Sequence, residues 1–339
     1  MLILGIETSC DDTAAAVVED GALARSSVVS SQDSIHARYG GIVPELASRR
    51  HIEMIIPVVD EALAAAGVKI NDIDGIAVTQ GPGLVGSILV GLSFAKAVSL
   101  STGIPITGVN HITAHTHAAF LREPGAPDAP PDLPFVALIA SGGHTTLLLQ
   151  ETHTAYRILG QTRDDAAGEA FDKLAKLLGL GYPGGAIIDR LAKEGLATAF
   201  PFTRPYLAKG SLDFSFSGIK TAAMTVIKGL DPAPDHKTVC DIAASFQEAA
   251  VDVLVKKSLW AVKATGARSL VAAGGVACNS RLRERLAQAA TAEGINLSIP
   301  PPRFCSDNGA MIAALGYYQF KDGRTADMTL NAVPAWDGF

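Results

Sequence analysis

The sequence has 339 residues, 48% of them hydrophobic and 18% charged, with 34 Asp and Glu against 28 Lys and Arg. This excludes a disordered chain and supplies apolar material for two lobes of about 150 residues each. A formal charge of −6 with 6% aromatics argues against a protein that coats nucleic acid by charge or by rows of stacking rings.

Leu2–Ile6 is a short apolar run that reads as a strand. No basic region precedes it and Glu7 ends it, so it is not a signal peptide. A polar turn, Glu7–Thr13, leads to strands at Ala14–Val18 and Leu23–Val29. Over residues 43–66, Ile52, Ile55, Ile56, Val59 and Leu63 recur at helical spacing. Gly75–Thr79 is a strand, Gly81-Pro82-Gly83 a break and Leu84–Leu100 an apolar helix. The uncharged stretch Gly75–Ala95 holds five glycines and a proline, so it fails as a membrane span. A strand at Ile106–Val109 precedes a helix opening near His111.

The second half repeats the order. Phe135–Ala140 is a strand, Ser141–Thr146 a polar turn into Leu147–Leu149, and Tyr156–Gly160 a third strand. Helices are expected near Ala166–Leu178, Gly185–Glu194 and Val239–Ala264. Then come a strand at Ser269–Ala273, a break at Gly274-Gly275, a helix at Arg281–Ala292, a strand at Asn296–Ile299 and a last helix from near Asp307. The double pattern predicts two related α/β lobes facing each other across a cleft. Residues 1–123 form the first lobe, with a C-terminal helix at about 320–339 packing back on it; 124–134 is a linker and 135–319 the second lobe. The cysteines (Cys10, Cys240, Cys278, Cys305) are dispersed without C-x-x-C spacing. That disfavours a disulfide framework or a thiolate zinc site and makes a reducing, cytoplasmic setting the expectation.

The two polar turns hold matching places. Each can offer backbone N–H groups and hydroxyls to a phosphate, or be a plain hairpin. The two Gly breaks sit between strand and helix, where open α/β sheets bind ligands; Asn279 follows the second. On a helix His111 and His115 share a face and can reach one ion. A carboxylate at Asp307, at the matching helix start of the second lobe, would complete a two-His, one-carboxylate site with open positions, suited to Fe(II) or to Zn²⁺. Ile112 stands where a zinc protease needs its general-base glutamate, which weighs against a peptidase. Helix-dipole compensation accounts for Asp164 and Asp165 but not for Asp172, two turns in. Tyr182-Pro-Gly-Gly185 followed by Asp189 reads either as a tight bend or as a nucleoside pocket. For Asp213–Lys220 the residues alone do not separate core from site.

Eight motifs in order resemble one family. They are Gly5–Thr13, His111-x3-His115, Ser141–His144, Asp165–Lys173, Tyr182–Gly185, Phe214–Lys220, Gly274–Asn279 and Cys305–Gly309. Together they look like the bacterial tRNA N6-adenosine threonylcarbamoyltransferases, once called O-sialoglycoprotein endopeptidases, to about residue 325. The resemblance implies the ASKHA fold (actin-like ATPases, sugar kinases, Hsp70), an α/β duplication of two mixed-sheet lobes around a central cleft. It implies one divalent metal, Fe(II) before Zn²⁺, on His111, His115 and Asp307. It implies a substrate pocket at Ile139, Ala140, Ser141, Gly142, Gly143, Asp172, Gly185, Asp189 and Asn279. The implied reaction moves threonylcarbamoyl from threonylcarbamoyl-AMP to N6 of the adenosine 3′ of the anticodon in tRNAs reading ANN codons. Asp11, on cleft location alone, is the candidate base. Implied partners are tRNA, a degenerate paralogue of the same fold and a small P-loop ATPase, with no membrane.

Ile42–Val58 is the expected partner surface, with Glu45 and Ile55 as its test positions. The basic clusters Arg49-Arg50 and Arg281, Arg283, Arg285 are candidates for guiding tRNA. An ASKHA ATPase or kinase, a metallopeptidase and a non-catalytic scaffold are the rival readings.

Overall fold

The computed structural model describes residues 1–127, 129–230 and 234–336. Two five-stranded sheets share one plan. The first has β1 (Leu2–Glu7), β2 (Asp12–Glu19), β3 (Leu23–Ser31), β4 (Gly75–Gly81) and β5 (Ile106–Asn110) in the order β3-β2-β1-β4-β5. The second has β6 (Phe135–Ala140), β7 (Thr145–Gln150), β8 (Tyr156–Gln161), β9 (Ser269–Ala273) and β10 (Asn296–Ser298) in the order β10-β9-β6-β7-β8. In each sheet the first strand pairs antiparallel with the second and parallel with the fourth. This is the duplication read from the sequence.

The helices follow from which strand residues need covering. They are α1 (Asp33–His36), α2 (Pro44–Ala66), α3 (Val85–Thr102), α4 (His111–His117), α5 (Ala167–Leu177), α6 (Gly184–Ala192), α7 (Ser217–Lys228), α8 (His236–Thr265), α9 (Ser280–Glu293), α10 (Pro302–Cys305) and α11 (Gly309–Lys321). Strand residues alternate sides. Leu4 and Ile6 of β1 pack with Ile55, Val59, Ile88 and Leu92 of α2 and α3, whereas Ile3 packs with α11. Val136 and Leu138 of β6 face Phe171 of α5 and Phe246 of α8, whereas Phe135, Ala137 and Ile139 meet Ile112 of α4. Helices α4 and α11 therefore lie between the sheets. All seven residues of α4, three histidines included, are buried. Helix α11 lies so close to β1 that a Cβ on Gly5 would come within 2.0 Å of the Gly309 carbonyl.

Helix α3 is long and apolar enough to cross a membrane, but it lays Ile88, Leu92 and Ala95 on the first sheet.

Two expectations are corrected. The second lobe does not extend to residue 319, because α11 packs on the first sheet. Among the described residues the expected helix at about 320–339 does not form: α11 ends at Lys321 and residues 322–336 form a strap without helix. The strap does return to the first lobe. The Ala326 and Val333 amides donate to Ile106 O and Gln80 O, each at 2.8 Å, and Gly83 N donates to Pro334 O at 3.1 Å. Gly323, Pro334 and the lack of helical apolar spacing explain the extended form. Residues 337–339, and Asp128 within the expected linker 124–134, lie outside the described residues. The undecided Asp213–Lys220 segment enters α7. Its Phe216 N donates to Asp164 Oδ1 at 2.8 Å, and Lys220 pairs with Asp165 at 2.6 Å.

Candidate metal centre and cleft

Strand β5 ends at Asn110, whose side chain caps α4 by accepting from Thr113 N at 3.0 Å. That cap places His111 in the first turn and His115 one turn on. Their rings meet edge to face at 4.9 Å. Across the lobe interface Asn308 caps α11, accepting from Met311 N at 2.9 Å, and its amide donates to Phe304 O and Ser306 O. Asp307 is thereby held with Oδ1 3.3 Å from His115 Nε2 and 3.6 Å from His111 Nε2. One donor atom from each of the three lies within 4.8 Å of the others.

The donor set fits a divalent ion. His115 is fully buried, and neither of its ring nitrogens has a hydrogen-bond partner. Such a ring is costly to bury unless something else takes its lone pair. His111 is oriented from behind: its Nδ1 stands 2.8 Å from Glu7 Oε2, leaving Nε2 toward Asp307. Glu7 also accepts from Thr79 Oγ1 at 2.7 Å and from Ser9 N. A carboxylate behind a ligating histidine is the usual outer support of a metal site. Burial alone would lower the His111 pKa, but Glu7 and Asp307 outweigh it and push it up to about 9. Burial would raise Asp307, yet His111 and His115 hold it well below the usual carboxylate range. Burial drives His144, beside the triad, down to about 4. The roles of Glu7, His144 and Asp12 are not legible in the sequence. A carboxylate closing an apolar strand was the one visible sign of Glu7.

Acidic groups line the first-lobe side of the cleft. Burial, then Asp307, raises Asp11 to about 6. The same two causes raise Asp12 to about 8. Burial raises the Tyr182 hydroxyl, and so do Asp11 and Asp33 of the first lobe and Asp172 of the second. Tyr182 thus stands where the lobes face each other.

The expected pocket residues fall into two groups. Gly142 and Gly143 are exposed, with open space where a side chain would be. Ser141 O accepts from Gly168 N at 3.1 Å, so the turn abuts the start of α5. Gly185 is likewise open. Ile139 and Ala140, in contrast, bury their side chains on opposite faces of the second sheet. Asp172 Oδ1 accepts from Gly184 N at 2.7 Å. Asp189 accepts from Ser280 Oγ at 2.8 Å. Asn279 caps α9 through Leu282 N at 2.9 Å and donates to Gln247 at 2.7 Å. These three hold the turns around the cleft.

Two surface expectations are corrected. Ile55, named as a partner-surface test position, is buried in the first core; the exposed apolar residues are Ile42, Ile52 and Ile56, joined by Val85 and Leu89 of α3. The Arg281–Arg285 patch is internally neutralised. Arg281 pairs with Glu248 and Glu284 at 2.7 Å, Arg285 with Asp252 at 3.0 Å, and Arg283 turns inward to Pro300 O at 2.8 Å.

The duplicated lobes and the helix pair between them place the molecule in the ASKHA class. Solved structures of that build agree on the fold. HypF from T. kodakarensis superimposes with a TM-score of 0.60 at 14% identity, over 95% of this chain and 48% of that one. Component A of the (R)-2-hydroxyglutaryl-CoA dehydratase of Acidaminococcus fermentans gives 0.51 at 17%, over 94% and 98%. The family model for tRNA N6-adenosine threonylcarbamoyltransferase matches residues 24–314. Proteins of that name from Geotalea uraniireducens and Desulfitobacterium hafniense are 54% and 53% identical, over 99% and 98% of this chain and 96% of each relative. The chain belongs to the tRNA N6-adenosine threonylcarbamoyltransferase family, enzymes that modify tRNA. The family implies a divalent metal.

Proposed function

We propose that the cleft transfers threonylcarbamoyl from threonylcarbamoyl-AMP to the adenosine N6 beside the tRNA anticodon, with His111, His115 and Asp307 as the metal ligands and Asp11 as the base. The observation that carries this is the buried His115, whose two ring nitrogens have no hydrogen-bond partner although Nε2 stands 3.3 Å from Asp307 Oδ1. Two imidazoles and one carboxylate with open positions suit Fe(II) first and Zn²⁺ second. When bound, the ion supplies a Lewis acid for an oxygen of the donor. Glu7 keeps His111 in the ligating tautomer. In the open turn beside the start of α5, Gly142 and Gly143 offer backbone N–H groups to the donor phosphate. Asp172 and Asp189 hold the Gly184–Gly185 and Ser280 turns against the nucleoside.

The adenosine N6 attacks the carbamoyl carbon, the bond from that carbon to the phosphate oxygen breaks, and AMP leaves. Asp11, with a pKa raised to about 6, takes the N6 proton in the range useful to a base near neutral pH. Holding both substrates in one cleft supplies orientation.

The exposed Ile52 and Ile56 of α2, with Val85 and Leu89 of α3, are the docking face for a paralogue of the same fold. Ile52→Glu weakens that association more than 10-fold if the face is used; unchanged association sinks the placement. A small P-loop ATPase completes the cytoplasmic assembly on the resemblance alone. The test of the whole reading incubates the chain and its partners with threonylcarbamoyl-AMP and unmodified tRNA, followed by mass spectrometry of nucleosides. Threonylcarbamoyladenosine is the expected product. Its absence with competent partners, or ATP hydrolysis in its place, overturns the reading in favour of an ASKHA ATPase.

A further inference from the structure

A second group of metal-ligating side chains is separate from the His111–His115–Asp307 cluster. At the start of α8, His236 and Cys240 sit at i and i+4 and so share a face. Glu194, just after α6, comes to the same spot. His236 Nε2 stands 3.2 Å from Glu194 Oε2 and 3.6 Å from Cys240 Sγ. One donor atom from each lies within 4.8 Å of the others. Ligands around a tetrahedral zinc, at about 2.0–2.3 Å from the ion, stand roughly 3.3–3.8 Å apart. The observed spacings need little adjustment to close on an ion.

Three features separate this group from a chance surface pair. The first is composition: an imidazole, a thiol and a carboxylate bring one donor atom each to the same spot. A cation at the centre satisfies all three groups at once.

The second is preorganisation. The turn that carries Glu194 is fastened to α8 by backbone contacts. Leu196 N donates to Asp241 Oδ1 at 2.6 Å, Phe200 N donates to Ser245 Oγ at 3.1 Å, and Ser245 Oγ donates to Leu196 O at 3.1 Å. At Gly195 the packing is so close that a Cβ would lie 2.0 Å from Cys240 O. Asp235 caps α8 through Thr238 N at 2.8 Å, fixing His236 in the first turn.

The third is the local field. Glu194 and Asp241 bring carboxylate charge close to Cys240. Negative charge there favours a cation. Lys237, the nearby positive group, is engaged by Asp241.

We propose that Glu194, His236 and Cys240 form a second zinc site, three protein ligands with a fourth position open to water. Thiolate, imidazole and carboxylate together select zinc over magnesium or calcium. The site closes the base of a long excursion, since Glu194 and His236 are 42 positions apart. Within it lie the Asp213–Lys220 segment and α7, which contact Asp164 and Asp165 beside α5. A zinc clip there steadies the second-lobe wall of the cleft. This inference does not depend on the transfer reaction or on the metal of the cleft.

The test uses the full chain with the cleft ligands removed, His111→Ala and His115→Ala together, so that any remaining metal belongs elsewhere. The probes are Zn²⁺, counted by elemental analysis, and Co²⁺, whose thiolate charge-transfer absorption reports a bound cysteine. One zinc equivalent and a cobalt–thiolate band are expected, both lost on adding Cys240→Ser and both kept on adding Cys10→Ser. Because Cys240 is buried, His236→Asn provides a surface variant that leaves packing alone. It abolishes the zinc-dependent rise in Tm, which is a few degrees in the parent. No zinc in the doubly substituted chain overturns the proposal. So does a cobalt band that survives Cys240→Ser, or a zinc-dependent Tm that survives His236→Asn.

Discussion

The molecule presents two clusters built on the same local rule and set in opposite surroundings. In each, a helix supplies two ligands at i and i+4 and another element supplies a carboxylate. His111 and His115 lie between the sheets, within a buried helix, with Glu7 fixing the tautomer from behind. In the second lobe Glu194 and His236 are mostly exposed to solvent, and only Cys240 beneath them is buried. The difference lies in desolvation. In the interior an unpaired imidazole is expensive, so an ion bound there, with its outer support, would offset a large cost. At the surface water can substitute for the ion, so binding there adds stability and the fold survives without it.

The largest effect that tests this contrast is loss of a buried ligand. His115→Ala or Asp307→Ala reduces transfer by more than about 100-fold, beyond the range of an outer-support change, with the second site still holding its zinc. Transfer at near-normal rate in either variant would remove the buried triad from the mechanism. Next is the outer support itself. Glu7→Gln keeps the shape but loses the charge behind His111, and metal affinity drops by about 10–100-fold in a competition titration. An unchanged affinity would show that the buried ion needs no such support, erasing the distinction between the clusters.

The buried region also carries its own pH signature. Asp12 keeps its proton in the fold up to about pH 8, against 3.8 for the ordinary group, owing to burial, Asp307 and Asp11. Between those limits the unfolded chain binds fewer protons than the folded one, so stability falls as pH rises. The slope from this group reaches at most about 1.4 kcal/mol per pH unit. Denaturant unfolding in chelator across pH 4–8 should show that fall, and Asp12→Asn should flatten it. A slope identical in the variant assigns the pH dependence to other groups. The smallest effect belongs to the surface cluster: chelation lowers Tm by a few degrees through it, and His236→Asn removes that increment.

Much of the fold was legible because it rests on short-range periodicity. Short continuous apolar runs such as Leu2–Ile6 and Phe135–Ala140, and their matching order in the two halves, fix both sheets. The helical spacing of His111 and His115 placed both rings on one face. What stayed illegible was long-range. No local pattern shows that α11 crosses to the first sheet, since its apolar residues would serve either lobe. Ile55 and Ile56 look alike in sequence, yet one faces Leu4 and Ile6 and the other faces solvent. The arginines at 281, 283 and 285 read as a basic patch until Glu248, Asp252 and the Pro300 carbonyl are placed against them.

The sequence by itself determined the duplicated α/β plan, the histidine pair and the family, because these reside in local periodicity and in motifs of contiguous residues. Only the tertiary structure decided which carboxylate stands behind His111, how far each cleft acid is shifted, and that Glu194 meets His236 and Cys240. Those outcomes depend on distances and desolvation between residues far apart in the chain, and such quantities exist only once the chain has folded.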